Sequence, residues 1–185
     1  MQRNTRTALP GDIDQRTRLE RILRVDQAGE YGAKRIYQGQ LAVLGNAPSG
    51  DTIRHMAEQE EKHLKTFDDL LNERHVRPTL LSPIWHVAGF ALGAGTALMS
   101  EKAAMACTEA VEEVIDAHYA QQTEALAAEG VEPELQETIE TFRAEEIEHR
   151  DIAREHDAAA APGYGLLTAG VKAGSRLAIW LSTRI

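Results

Sequence analysis

The chain has 185 residues, 43% of them hydrophobic and 26% charged, which is enough for one folded domain with a substantial core. A formal net charge of -9 excludes a general nucleic-acid binder, which needs a basic face to neutralise phosphates. A single cysteine, Cys107, excludes an internal disulfide and any cysteine-built zinc or iron–sulfur centre.

Residues 1–16 are polar and read as a flexible lead-in, without the apolar run of a secretory signal, so the chain is expected on the cytoplasmic side. A long helix is expected over residues 18–44. Leu19, Ile22, Asp26, Glu30, Ala33, Tyr37, Gln40, Leu41 and Leu44 recur at steps of three and four. The Gly45–Gly50 stretch breaks it. A second helix follows over about 51–74, with Asp51 as its N-cap and a stripe of Ile53, Met56, Glu60, His63, Phe67 and Leu70.

Residues 79–100 contain no Asp, Glu, Lys or Arg. The segment is long enough to span a bilayer, but Ser, Pro, Gly and Thr dilute it. A helix lying in the membrane interface, with Trp85 and Phe90 at that depth, is favoured over a span. A crossover packed on the bundle is the other reading.

A third bundle helix is expected over 103–128, with a stripe of Thr108, Glu112, Ile115, Tyr119, Gln122 and Leu126, ended by Gly130 and Pro133. A fourth runs over 133–156, with Leu135, Ile139, Phe142, Glu146, His149 and Ala153. Residues 163–185 mix Leu, Val, Ile and Trp180 with Lys172, Arg176 and Arg184, and are also expected to face a membrane. No segment reads as a strand. The fold class is therefore all-α: a four-helix bundle over residues 17–185 with two additional membrane-associating helical segments.

Each bundle helix places a carboxylate on its core-facing stripe. Burying one without a partner costs several kcal/mol, and four together repel. Two divalent cations resolve the conflict. Glu60-Glu61-Lys62-His63 and Glu146-Ile147-Glu148-His149 are both Glu-x-x-His, which puts two ligands on one helix face. With lone Glu30 and Glu112 they make the ligand set of the ferritin-like di-iron carboxylate bundles. An internal repeat points the same way, because Glu30 and Glu112 are each followed by Tyr at +7 and Gln at +10. Glu113 falls on a more polar face and Glu61 has the wrong offset. Glu145 competes with Glu146, which keeps the i, i+3 spacing. His118, Tyr119, Tyr37 and Asp151 lie near this level, either hydrogen-bonding the ligands or simply packed or solvated. Carboxylate-rich sites with one imidazole per metal suit Fe(II) or Mn(II), with positions left open for oxygen.

Several longer strings carry a resemblance: Arg24-Val-Asp-Gln-Ala-Gly-Glu30-Tyr, Glu60-Glu-Lys-His63-Leu-Lys, Gly89-Phe-Ala-Leu-Gly-Ala-Gly-Thr, Ala104-Met-Ala-Cys-Thr and Glu145-Glu-Ile-Glu-His149-Arg-Asp-Ile. From about residue 18 onward the chain resembles the demethoxyubiquinone hydroxylase family. The resemblance implies a di-iron monooxygenase that hydroxylates the ring of a polyprenyl demethoxyubiquinol, with two Fe ions per chain at Glu30, Glu60, His63, Glu112, Glu146 and His149. It implies O2 as co-substrate and NADH as reductant, although no Gly-x-Gly-x-x-Gly fingerprint is present. It also implies a peripheral seat on the cytoplasmic face of a bacterial cell membrane, with a second copy of the chain and other ubiquinone-biosynthesis proteins as candidate partners. The rival from another class is an iron-storage or ferroxidase protein using similar ligands.

Overall fold

The computed structural model describes residues 13–185. Six α-helices follow in order: α1 (Gln15–Leu44), α2 (Gly50–Glu73), α3 (Ser82–Met99), α4 (Glu101–Glu129), α5 (Pro133–Glu155) and α6 (Tyr164–Ser182), with one 3₁₀ turn at Ala158–Ala160. There is no strand among the described residues. The lead-in expected over residues 1–16 falls mostly outside the described residues. Its last part is corrected: α1 is already under way at Gln15, because the Asp14 carboxylate accepts the Thr17 N–H at 2.7 Å and caps the helix.

The cap expected at Asp51 is also corrected. Helix α2 starts at Gly50 with Ser49 before it and no side-chain cap. Asp51 instead sits in the first turn, where it pairs with Arg54 at 2.7 Å. Helix α4 is capped by the Ser100 hydroxyl, which accepts the Ala103 N–H at 3.0 Å, and ends at left-handed Gly130 (φ 64°).

Helices α1 with α2 and α4 with α5 form two hairpins, and α1 also meets α4 while α2 meets α5, closing a four-helix bundle. The helix after each hairpin packs on that hairpin's first helix: α3 along α1, and α6 along α4. The repeat expected for two helices per half thus extends to three. Tyr164 at the start of α6 is pinned by a hydrogen bond from its hydroxyl to buried Glu109 on α4 (2.9 Å), which Arg154 of α5 also holds (2.7 Å).

Segment 79–100 forms α3, which packs on the bundle as the crossover reading has it. Helix α3 packs on the bundle along one face and leaves Ile84, Val87, Leu98 and Met99 exposed on the other. Among the described residues, no helix is long and apolar enough to cross a membrane. The glycines that dilute its hydropathy are packing positions. A Cβ on Gly93 would overlap the Ile36 carbonyl of α1, and one on Gly89 would stand 2.9 Å from the Gly32 carbonyl oxygen. Gly93→Ala is therefore expected to destabilise the protein by about 1–3 kcal/mol, because overpacking against backbone outweighs the gain in helix propensity. Gly95→Ala, where a Cβ meets open space, is expected to stabilise it by about 1 kcal/mol. Urea unfolding of both variants checks the opposite signs.

The core consists of two apolar clusters. One gathers Leu23, Phe67, Ile115, Leu135 and Ile139. The other gathers Leu44, Ile53, Met56, Met105 and Ala153. Along α2 and α5 the Glu-x-x-His residues lie between these clusters, and along α1 and α4 buried apolar residues flank Glu30 and Glu112 on both sides, so low-dielectric packing bounds the site.

Candidate metal centre

Glu30, Glu60, His63, Glu112, Glu146 and His149 are all at most 1% exposed. Their ligand atoms fall into two groups. Glu30, Glu60, His63 and Glu146 make one, and Glu60, Glu112, Glu146 and His149 make the other, with the ligand atoms of each group within 4.8 Å of one another. Glu60 and Glu146 belong to both, one from each hairpin. The arrangement is that of two adjacent cation positions sharing two carboxylates.

Both imidazoles turn Nδ1 inward. His63 Nδ1 is 3.1 Å from Glu146 Oε1 and 3.5 Å from Glu30 Oε2. His149 Nδ1 is 3.2 Å from Glu146 Oε2 and 3.3 Å from Glu60 Oε1. Both Glu60 oxygens, one oxygen each of Glu30, Glu112 and Glu146, and His149 Nδ1 are buried without a hydrogen-bond partner. Buried polar atoms are normally satisfied, so a cluster of orphaned carboxyl oxygens is the donor set a pair of divalent ions would satisfy. The residues present fit such a pair.

The electrostatics agree. Burial first, and then the charge of Glu146, push the carboxyls of Glu60 and Glu112 well above the carboxylate range. Burial also opposes charge on Glu146, but the His149 and His63 rings beside it outweigh burial and bring this carboxyl down to about 2. Burial opposes charge on His63 as well, and the carboxyls of Glu146 and Glu30 beside it overcome burial, pushing the ring up to about 12. A cation binding here competes with the protons that burial favours on Glu60 and Glu112. Metal loading is expected to release protons and to tighten as pH rises through the neutral range. Addition of Mn(II) in weak buffer with a pH indicator checks this; loading without proton release overturns it.

The repeat crosses the bundle. The Tyr37 hydroxyl donates to Glu112 Oε1 at 2.9 Å, and the Tyr119 hydroxyl donates to Glu30. Burial, then the neighbouring carboxylate, push both phenols well up, so each stays a donor. One turn further, Gln40 reaches Thr108 (3.2 Å) and Gln122 reaches Asp26 (2.8 Å). Each half thus braces the lone glutamate helix of the other.

Not every residue expected near the ligands touches them. His118 lies 3.3 Å from Asp26 and 3.0 Å from Gln122 rather than on a ligand. Asp151 points outward to Arg150 and Arg154. Glu113 pairs with Arg154 and Lys172, and Glu61 with Lys34. Glu146 is the inward residue of its pair, and Glu145 lies outside, 2.5 Å from His63 Nε2. Gln59 holds His149 Nε2 in the same way at 3.0 Å. These two contacts were not anticipated, although both residues stand one position before the Glu of a Glu-x-x-His, which is a signal the repeat already carried.

An apolar groove of about 400 Å³ runs beside the cluster, walled by α1, α3, α4 and α6. Gly29 and Ala33, which flank Glu30, and Val111 and Ile115, which flank Glu112, line it. Trp85 of α3 closes toward α6 through a 3.0 Å hydrogen bond to the Ser182 hydroxyl. The two apolar segments, α3 and α6, thus both line this groove.

Residues 17–182 match the family described as "Ubiquinone biosynthesis protein COQ7". The chain is 58% identical over 178 residues to the 3-demethoxyubiquinol 3-hydroxylase of Rhodospirillum rubrum, covering 96% of this chain and 83% of that one. It is 53% identical over 172 residues to the human mitochondrial NADPH-dependent 3-demethoxyubiquinone 3-hydroxylase, covering 92% and 79%. It is 45% identical over 182 residues to the mitochondrial 5-demethoxyubiquinone hydroxylase of Saccharomyces cerevisiae, covering 90% and 78%.

Proposed function

This chain belongs to the COQ7 family of ubiquinone biosynthesis proteins, and on that premise we propose that it hydroxylates the ring of a polyprenyl demethoxyubiquinol as an oxygen-dependent di-iron monooxygenase. The observation that supports this reading is the convergence of four carboxylates and two imidazoles into two groups sharing Glu60 and Glu146, beside an apolar groove. Ferrous ions held there would supply the electrons that activate dioxygen and let one oxygen atom enter a ring C–H bond.

The chain's own residues do the rest. Four carboxylates balance the charge of two divalent ions. Tyr37 and Tyr119 hold Glu112 and Glu30 in orientation from opposite sides. The apolar clusters at each end keep the reacting centre dry, which strengthens every electrostatic contact inside. The groove suits a quinol ring entering against Glu30 and Glu112 with its isoprenoid tail lying between α3 and α6.

Exposed Leu80, Ile84, Val87, Leu177 and Trp180 on and near those two helices support a peripheral seat on a membrane, which we place at the cytoplasmic face. Reducing equivalents come, in this reading, from NADH; the human relative's name specifies NADPH. An iron-storage protein uses similar ligands but has no use for an apolar groove beside them.

The test is anaerobic loading with Fe(II), followed by dioxygen, reductant and demethoxyubiquinol, with mass spectrometry of the extracted quinone. One oxygen atom is gained, and it comes from labelled dioxygen. A product without added oxygen from iron-loaded protein overturns the reading.

A further inference from the structure

The two halves of the candidate metal centre differ, and the difference lies just outside the six ligands. Gln59 on α2 meets the histidine of α5, and Glu145 on α5 meets the histidine of α2. The repeat thus builds the same cross-hairpin contact twice, and only the residue type breaks its symmetry. When Nδ1 gives its lone pair to a cation, the ring proton stays on Nε2 and is donated outward. A carboxylate accepts that proton more strongly than an amide oxygen does, and leaves the ring richer in electrons and a better ligand.

Two further observations lean the same way. The His63 ring is stacked on Phe142, with centroids 4.0 Å apart and planes at 27°, whereas His149 meets Tyr37 edge-on at 6.1 Å. One turn before Glu30 stands buried Asp26, and one turn before Glu112 stands Thr108. The half containing Glu30 and His63 thus has two extra carboxyl groups near it, where the other half has neutral groups.

We propose that the centre is built unequal: the position framed by Glu30 and His63 takes the first divalent cation, and Glu145 is the positioning residue that makes it so. The inference rests on the di-metal reading above. Glu145 touches no cation itself; it acts through His63. Its side chain is 35% exposed, so replacing it leaves no buried hole.

The test is an anaerobic titration of the full chain with Mn(II) alone, followed by electron paramagnetic resonance. In the unsubstituted protein the first equivalent gives an isolated Mn(II) signal, and the second converts it to a spin-coupled pair. Glu145→Gln weakens the first step by about 10–100-fold, so that the two steps merge. Gln59→Glu tightens the second step, and they merge from the other side. His149→Ala retains the tighter position and His63→Ala the weaker. Circular dichroism and melting of the metal-free variants report on folding, and Gln59→Glu tests the inference independently of Glu145→Gln. A single-step titration of the unsubstituted protein overturns the inference, as does an unchanged first step in Glu145→Gln. Failure of the unsubstituted protein to bind any Mn(II) is a different outcome: it brings down the di-metal reading, and this inference with it.

Discussion

Replacing Glu60 by glutamine is expected to abolish hydroxylation while leaving the metal-free protein folded and at least as stable as before. Glu60 is fully buried, belongs to both ligand groups, and has neither carboxylate oxygen hydrogen-bonded. Glutamine keeps the volume and stays neutral, as burial already keeps the metal-free Glu60 carboxyl, so the metal-free protein loses no contact. A neutral amide would lack the negative charge that Glu60 would offer to a cation in either group. On the proposed two-ion reading, metal content falls to at most one ion per chain, and oxygen insertion falls below detection. The thermal signature separates this from misfolding. A cation at a hundredfold excess over its dissociation constant stabilises the native state by about 2.7 kcal/mol, or roughly 5–10 °C for a chain of this size. The unsubstituted protein shows a metal-induced shift of that order, and Glu60→Gln shows little or none. Glu61→Gln, at an exposed residue paired with Lys34, leaves both readouts unchanged. Normal metal content and turnover in Glu60→Gln overturn the assignment of Glu60 as a shared ligand.

The site was legible in the sequence because it contradicts the helices that carry it. A carboxylate in phase with Ile115 and Tyr119, or with Phe142 and Ile139, has no structural reason to be there, and four such contradictions in four helices need a common cause. The Tyr at +7 and Gln at +10 were legible as a repeat, but not that each reaches across to the other half. That crossing depends on α1 facing α4, which spacing within one helix does not encode. The same limit hid the work of Glu145 and Gln59, since each acts on a histidine more than 80 residues away in the chain. Hydropathy placed α3 correctly as an apolar helix but misread its glycines. Gly89 and Gly93 dilute the segment on any transfer scale, and only the packed structure shows that they admit the α1 backbone. The cap at Asp14 was missed because the residues around it are polar enough to read as lead-in, whereas a single 2.7 Å hydrogen bond fixes the helix start.

Filling the groove is expected to separate substrate entry from metal binding. Gly29 lines the groove next to Glu30, and a Cβ built on it meets no neighbouring atom within 4 Å. The position is mid-helix, where glycine is costly, so Gly29→Ala should stabilise the protein by about 0.8–1.0 kcal/mol and leave room for substrate. Gly29→Phe puts a ring into the space we assign to the quinol. Displacing a bound reactant by an ångström or more costs about a hundredfold in rate, and kcat/KM for demethoxyubiquinol is expected to fall at least that far. The six ligands are untouched, so Mn(II) stoichiometry stays at the unsubstituted value. Fe(II) oxidation by dioxygen in the absence of quinol continues, because dioxygen is small enough to pass the ring. The discriminating measurement is therefore a pair: quinol hydroxylation by mass spectrometry and metal-centre oxidation by absorbance on the same preparation. If Gly29→Phe hydroxylates at the unsubstituted rate, the quinol does not reach the centre between α1, α3 and α6. If oxidation fails together with hydroxylation, the groove shapes the ligands as well as admitting the substrate, and the intact Mn(II) count decides between distortion and loss of metal.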